Sequence, residues 1–171
     1  GNTESLTLGD LNGDGKIDLV IGNLNQAIEV WINSGVTASG WSGFANSNQM
    51  LGTYAAKSLV LGDVNKDGAL DLVVGDDGSY GVTIWVNDGT GVGSFLGTAP
   101  FTTLPAFGVR SLDLGDWDAD GDLDLLIGRW NQSNTIWEND GTGLNQFYGV
   151  TPAKSFGDPE ATSDVRFCDL D

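Results

Sequence analysis

The chain has 171 residues, and its 24 Asp and Glu against seven Lys and Arg give a formal net charge of −17 without any histidine. So acidic a chain is a poor partner for nucleic acid, because that binding depends on Lys and Arg at the phosphates. The lack of histidine excludes imidazole acid–base catalysis and a Ser-His-Asp triad within these residues. A single cysteine excludes an intrachain disulfide framework, and no apolar run is long enough for membrane insertion.

The first unit opens with a short apolar run at residues 5–8, followed by an acid-rich loop at residues 10–18, called loop 1. Oxygen-bearing side chains stand at its positions 1, 3, 5 and 9, and glycine stands at position 6. Alternate side chains of a tight turn point inward, so such a loop can surround a hard cation with oxygen ligands. The backbone carbonyl of position 7 would complete the cage. The predicted ligands are Asp10, Asn12, Asp14, Lys16 (through its carbonyl) and Asp18.

The loop returns twice, each time after 53 residues, as loop 2 (residues 63–71) and loop 3 (residues 116–124). Solvated Asx turns also use Asp, Asn and Gly, but three copies with every ligand position filled favour calcium. Magnesium prefers partly hydrated octahedral sites, and zinc prefers His or paired Cys. We therefore predict about three Ca²⁺ ions, one in each loop. The further predicted ligands are Asp63, Asn65, Asp67, Ala69 (carbonyl), Asp71, Asp116, Asp118, Asp120, Asp122 (carbonyl) and Asp124.

The residues after each loop distinguish it from an EF-hand, which needs a bidentate Glu at position 12 and flanking helices. Position 12 is Ile21, Val74 or Ile127 here. Each loop runs instead into a short β-branched stretch closed by glycine, which is typical of a strand. A second strand after the loop follows at residues 28–33, 82–87 and 135–139. The fourth and more irregular strand of each unit is predicted to begin near Phe44, Phe95 and Phe147.

Four short antiparallel strands in each unit of about 50 residues predict an all-β fold of β-propeller blades. The predicted boundaries are residues 1–53 for blade 1, 54–106 for blade 2 and 107–160 for blade 3, with 161–171 as the start of a fourth blade. Closed propellers have about four to eight blades. We therefore expect a single repeat domain that forms part of a larger propeller, with an open or inter-chain assembly as the alternative.

The combination of motifs resembles the FG-GAP/VCBS repeat family, which forms integrin-α-like β-propeller blades with calcium loops. The resemblance rests on Leu-Gly-Asp before each loop, the loop itself, the following Asp-Leu-Val-Ile-Gly strand, and the Asn-Asp-Gly-Thr-Gly turns at residues 87–91 and 139–143. It implies that each calcium loop joins the first two strands of a blade and projects from one face. The first unit departs at its hairpin, and Asp122 adds an acid where only a carbonyl is needed.

Six tryptophans fall into two groups. Trp31, Trp85 and Trp137 recur at one strand position, where packing between blades is favoured over sugar stacking. The other three are not repeated, lie in or beside turns, and are the better candidates for a ligand surface: Trp41, Trp117 and Trp130. Cys168 stands where the other units have glycine and is predicted to be a buried small side chain.

The leading functional hypothesis is a non-enzymatic, calcium-stabilised module for adhesion or ligand binding, secreted or displayed on a cell surface. Its expected partner is a protein or carbohydrate on a cell surface or in the matrix, without nucleic acid and without membrane insertion. The alternatives are a carbohydrate-binding propeller, a filament subunit that assembles by sharing blades between chains, and the propeller part of a secreted polysaccharide-active enzyme.

Overall fold

The computed structural model describes residues 1–90, 95, 100–141, 147 and 151–168. In these residues all regular secondary structure is β, and none of them forms a helix that could cross a membrane. The strands are β1 (Thr3–Gly9), β2 (Asp18–Asn33), β3 (Val36–Thr37), β4 (Gly40–Trp41), β5 (Phe44–Gly62), β6 (Asp71–Asp76), β7 (Val82–Trp85), β8 (Thr102–Leu104), β9 (Val109–Gly115), β10 (Asp124–Arg129), β11 (Asn134–Trp137) and β12 (Lys154–Phe156).

Strand β2 doubles back on itself. Its first part pairs with β1 and its last part pairs with β5. The backbone N–H of Asn33 donates to the carboxylate of Asp18 at 2.8 Å, so the two ends of the strand meet. Asn25 adopts a left-handed backbone, φ 54°, near the point of reversal. Strand β2 therefore supplies both central strands of the first blade, between β1 and the start of β5.

Strand β5 is shared by two blades. Its first part pairs with β2, and its last part, from Ala56 to Gly62, pairs with β6. The second blade continues through β7 and β8, so that β1, β2, β5, β6, β7 and β8 form one antiparallel sheet. The third blade is a separate sheet in the order β12, β11, β10, β9. The predicted all-β fold of four-stranded propeller blades is confirmed, and three blades do not close a ring.

The predicted starts of the outermost strands near Phe95 and Phe147 border residues 91–94, 96–99, 142–146 and 148–150, which lie outside the described residues. Among the described residues, strand β8 starts at Thr102, β12 starts at Lys154, and Phe95 forms an isolated bridge to Asn87. Phe95 and Phe147 are buried in the two hydrophobic cores, each in the core that contains the tryptophan of its blade. Both cores contain residues of two neighbouring blades, so burial between blades explains why both units carry a phenylalanine there.

Adjacent blades approach closely at glycines. A Cβ atom on Gly75 would lie 2.5 Å from Cγ1 of Val109 in the next blade. One on Gly62 would lie 2.6 Å from Cδ1 of Leu114. Because real side chains do not pack at such distances, a larger residue at either position would force Val109 or Leu114 of the next blade to shift.

The last described segment continues this packing pattern. Phe167 lies against Gly115 and Val165 lies against Gly128, as Leu114 and Val109 lie against Gly62 and Gly75. Residues 161–168 therefore occupy the place of a fourth blade's first strand, although no strand is assigned to them. The prediction of a buried Cys168 is wrong, because the thiol is exposed at the end of this segment.

Candidate metal centres

The three acidic loops share one hydrogen-bond framework, which begins at position 1. In loop 1 the Asp10 carboxylate accepts the backbone N–H of Asp14 at 3.1 Å and of Gly15 at 2.8 Å. The Asp63 and Asp116 carboxylates accept the corresponding bonds in loops 2 and 3. These bonds fold each loop around its first side chain, as expected for a turn with glycine at position 6.

Positions 3 and 5 point into the same turn. In loop 3 the N–H of Asp120 donates to Asp118 at 3.2 Å, and the N–H of Asp122 donates to Asp120 at 2.9 Å. Loops 1 and 2 repeat both bonds, with an asparagine at position 3. In loop 3 one carboxylate oxygen from each of Asp116, Asp118 and Asp120 lies within 4.8 Å of the other two. The predicted side-chain ligands at positions 1, 3 and 5 thus lie together within each loop.

The position 9 aspartates are buried, in contrast to the exposed acids at position 5. Asp18, Asp71 and Asp124 are 0 % exposed. One oxygen of Asp71 accepts the N–H of Val64 at 3.0 Å, and the other accepts the N–H of Asn87 at 2.8 Å. The equivalent bonds recur in the other two blades. Position 9 therefore fastens the start of each loop to the end of the third strand of its own blade.

The donor set fits a hard cation. Three carboxylates within 4.8 Å repel one another in loop 3, and a divalent cation would offset this repulsion. Each carboxylate oxygen that accepts one N–H has a second lone pair available for a cation. Positions 1, 3, 5 and 9 would hold Ca²⁺ through side-chain oxygens, and the position 7 carbonyls of Lys16, Ala69 and Asp122 stay a prediction.

Burial of Asp71 gives a pH prediction. Desolvation raises the pKa of Asp71 from 3.8 to about 7. The hydrogen bonds from the N–H groups of Asn87 and Val64 lower this pKa but do not offset the desolvation. Burial also raises the pKa of Asp124. Because the metal-free fold favours the neutral acid, stability decreases as pH rises from about 4 to about 7. In buffer depleted of metal by a chelating resin we expect the Tm to be higher at pH 5 than at pH 7, measured by circular dichroism, and in excess Ca²⁺ this difference should shrink or reverse. A metal-free Tm that falls on acidification from pH 7 to pH 5 would contradict the prediction.

Side chains at positions 4 and 7 add ion pairs around the loops. Lys16 Nζ lies 2.6 Å from the Asp14 carboxylate of its own loop, and both side chains are partly exposed. Lys66 Nζ in loop 2 lies 2.6 Å from Asp122 Oδ1 in loop 3. The Asp122 side chain therefore does not join the three carboxylates of its own loop but contacts Lys66 of loop 2. The contact with the Asp122 carboxylate raises the pKa of Lys66.

Sequence reasoning missed the buried asparagines that follow the repeated tryptophans. Asn87 Nδ2 donates to the carbonyl of Leu11, in the preceding blade, at 2.8 Å and to that of Leu70 at 3.3 Å. Asn139 Nδ2 donates to the carbonyl of Val64 in the preceding blade, also at 2.8 Å. Each asparagine thus binds position 2 of the preceding loop. The recurring Trp-x-Asn at residues 31–33, 85–87 and 137–139 was the available signal.

The tryptophans divide as the sequence suggests. Trp85 is 0 % and Trp137 is 2 % exposed, whereas Trp31 is half-buried. Trp41, Trp117 and Trp130 are 60 %, 46 % and 47 % exposed.

Arg110 pairs with Asp77 at 2.7 Å, and its guanidinium carbon lies 4.9 Å from the ring centroid of Trp130. Trp117 occupies position 2 of loop 3. At the same position of loops 1 and 2, Leu11 and Val64 are covered by the next blade.

Comparison with known proteins places this arrangement in a family. A profile described as FG-GAP-like repeat matches residues 10–74, 63–127 and 116–171. Human integrin alpha-7 is 29 % identical over 138 aligned residues, which cover 72 % of this chain and 12 % of the integrin. Mouse integrin alpha-7 is 28 % identical over an alignment of the same length and coverage. This chain therefore spans only a small part of the relatives that it matches.

Each family match begins at the first aspartate of a loop, Asp10, Asp63 or Asp116, and the three matches together run to the last residue. The matched residues contain the loops, the buried position 9 aspartates and the asparagines that join the blades. The repeated sequence motifs, the antiparallel blades and the family profile agree over more than half of the chain: the protein belongs to the FG-GAP-like repeat family.

Proposed function

We propose that this chain forms calcium-stabilised β-propeller blades of an extracellular module for adhesion or ligand binding. The observation that carries the proposal is the identical placement of four oxygen-bearing side chains in three loops, with three carboxylates of loop 3 within 4.8 Å of one another. The proposed blades are residues 1–53, 54–106 and 107–160, and residues 161–171 begin a fourth. Further blades, from the same polypeptide or from another chain, complete the ring.

The loops act as clamps between strands. A bound Ca²⁺ supplies the positive charge that holds the acidic side chains together. Positions 1, 3 and 5 close the turn, and position 9 fastens it to the asparagine at the end of the third strand. Because Asn87 and Asn139 also bind the preceding loop, closure of one loop orders the junction between two blades. The rigid arrangement of blades then presents the surface that binds the partner.

A non-enzymatic role outside the cell agrees with the residues and the relatives. The chain has no histidine for imidazole catalysis, and calcium loops of this kind suit the millimolar calcium found outside cells. The proposed partner is a protein at the cell surface or in the matrix, as the integrin likeness suggests. A carbohydrate partner is the second candidate, because Trp130 is exposed beside Arg110 and could stack on a sugar ring.

Calorimetric titration with Ca²⁺ tests the proposal. We expect saturation at three ions per chain, and two ions in each variant that lacks one position 5 carboxylate: Asp14→Ala, Asp67→Ala or Asp120→Ala. Removing a charged ligand lowers the Ca²⁺ affinity of its own loop, because that affinity depends on the number of charged ligands in the site. Asp158→Asn, which removes an exposed acid outside the loops, should still bind three. A wild-type chain without saturable Ca²⁺ binding would overturn the proposal.

A further inference from the structure

Loop 2 differs from the shared loop pattern at position 4, where it has Lys66, and loop 3 differs at position 7, where it has Asp122. The two side chains contact each other. Position 4 adopts a left-handed backbone in all three loops, with φ 70° at Gly13, 59° at Lys66 and 63° at Ala119. Glycine adopts this conformation without cost, whereas a residue with a Cβ is strained there. Lys66 and Ala119 show that position 4 tolerates a side chain, and in loop 2 that side chain carries a charge.

The side chain of Lys66 reaches the next loop. Its Nζ atom lies 2.6 Å from Oδ1 of Asp122, whose side chain is only 8 % exposed. The Asp122 carboxylate also lies so close to Gly141 that a Cβ atom there would be 2.2 Å from Oδ2. Position 7 needs only a backbone carbonyl for a cation, so the carboxylate of Asp122 is surplus to its own loop and serves the contact between loops.

The equivalent space between loops 1 and 2 lacks this pair. Its position 4 is Gly13 and its position 7 is Ala69, and a Cβ atom on Gly89, the counterpart of Gly141, would lie 3.5 Å from Cβ of Ala69. A cavity of about 170 Å³ remains there, lined by Asp10, Leu11, Asn12, Gly13, Gly68, Ala69 and Gly89. Within the part of the chain that the structure describes, an ion pair bridges the junction between loops 2 and 3, and the junction between loops 1 and 2 has a cavity instead.

We propose that the Lys66–Asp122 ion pair couples cation binding at loop 2 to cation binding at loop 3, while loop 1 binds independently of this pair; the inference rests on the proposed function. Lys66 lies between the predicted ligands Asn65 and Asp67, and Asp122 lies between Asp120 and Asp124. A cation that orders loop 2 fixes the backbone of Lys66, whose ammonium group then holds Asp122 and the closed form of loop 3. By linkage, a cation in loop 3 strengthens binding at loop 2 by the same factor.

Loop 3 carries its own reporter for the test. Trp117 lies between Asp116 and Asp118, and loops 1 and 2 contain no tryptophan. Tryptophan excitation should therefore sensitise the emission of Tb³⁺, a calcium substitute, bound at loop 3. Trp41 lies near loop 1 through its bond to Asn33, so the loop 3 signal is the part of the emission that Trp117→Leu removes. With loop 2 disabled by Asp67→Ala, we expect half-saturation of loop 3 to rise about two- to fivefold, the range for a partly exposed ion pair.

The decisive variant is Lys66→Ala/Asp122→Ala, which conserves net charge and makes this junction resemble the one between loops 1 and 2. In this background Asp67→Ala should raise the half-saturation of loop 3 by less than it does in the wild type, because the bond from Asn139 to Val64 still joins the two loops but the ion pair does not. The control Glu4→Ala/Lys57→Ala removes an ion pair between blades 1 and 2 and also conserves charge, so the coupling between loops 2 and 3 should keep its wild-type size. A coupling of wild-type size in Lys66→Ala/Asp122→Ala, or no coupling in the wild type, would overturn the inference.

Transplanting the pair gives a second, independent test. Gly13→Lys/Ala69→Asp places the same two side chains between loops 1 and 2, and Lys66 shows that lysine is accommodated at position 4. In this variant, disabling loop 1 with Asp14→Ala should weaken calorimetric Ca²⁺ binding at the remaining sites more than it does with the wild-type junction, where the bond from Asn87 to Leu11 joins the loops without an ion pair. Equal effects of Asp14→Ala in both backgrounds would overturn the inference, whereas a complete lack of Ca²⁺ binding in the wild type would instead refute the proposed function.

Discussion

Excess EGTA is expected to lower the Tm of this protein by about 15–30 °C. A ligand that binds only the folded state, at one hundred times its Kd, adds about 2.7 kcal/mol to the free energy of unfolding, so three sites add about 8 kcal/mol. A domain of about 150–250 residues changes its Tm by about 2–4 °C for each kcal/mol. Without cations the acids of each loop repel one another, which adds to the loss. Differential scanning calorimetry in Ca²⁺ and in EGTA measures the shift.

Two further samples separate calcium binding from general ionic effects. Mg²⁺ at the same concentration should restore less of the Tm than Ca²⁺, because Mg²⁺ prefers octahedral, partly hydrated sites. A variant with all three position 5 acids replaced, Asp14→Ala/Asp67→Ala/Asp120→Ala, should melt at nearly the same temperature with and without EGTA. A wild-type Tm that does not change in EGTA would mean that the loops are turns held by their own hydrogen bonds alone.

Asn87→Ala is expected to decrease the free energy of unfolding by about 2–4 kcal/mol. The side chain is 0 % exposed, and its Nδ2 group donates to the carbonyls of Leu11 and Leu70. Alanine leaves buried carbonyls without these donors, and each unsatisfied buried group costs about 1–3 kcal/mol. Chemical denaturation in Ca²⁺, with the slope compared between variants, measures the loss.

Asn33→Ala is the matched control for Asn87→Ala. Asn33 follows the tryptophan of blade 1, and its described hydrogen bonds all lie within that blade, including Nδ2 to the carbonyl of Ile17 at 3.0 Å. Asn33 is also half-buried rather than buried. The cost of Asn33→Ala should therefore be smaller by at least about 1 kcal/mol. Equal costs for both variants would mean that the bond to Leu11 contributes nothing to the junction between the blades.

The loops and the blade repeat could be predicted because they depend on local chemistry. The ligand positions of loop 1 lie within nine residues, and a glycine and alternating oxygens specify that turn without reference to the rest of the chain. Strand type follows equally from short β-branched runs. The structure places the predicted side chains of each loop together for this reason, whereas the identity of the ion stays a prediction.

The contacts between blades could not be predicted, because they join residues far apart in sequence. The bond from Asn87 to Leu11 spans 76 residues, and Lys66 and Asp122 come together only when two blades pack side by side. The burial of Phe95 depends likewise on how blades 1 and 2 pack against each other. A repeated Trp-x-Asn was visible, but only the packed structure shows that the asparagine binds the preceding loop.

The shared strand β5 has a mechanical consequence for blades 1 and 2. A pulling force along the chain would pass directly from blade 1 into blade 2, because strand β5 is continuous from one blade to the other. Blades 2 and 3 are joined instead by residues 105–108, between β8 and β9, which form no strand and would lengthen once Ala106 leaves the core and the bond from the Trp130 N–H to the Gly108 carbonyl breaks. Under tension the first two blades would therefore respond as one stiff element, and extension would start at the junction with the third.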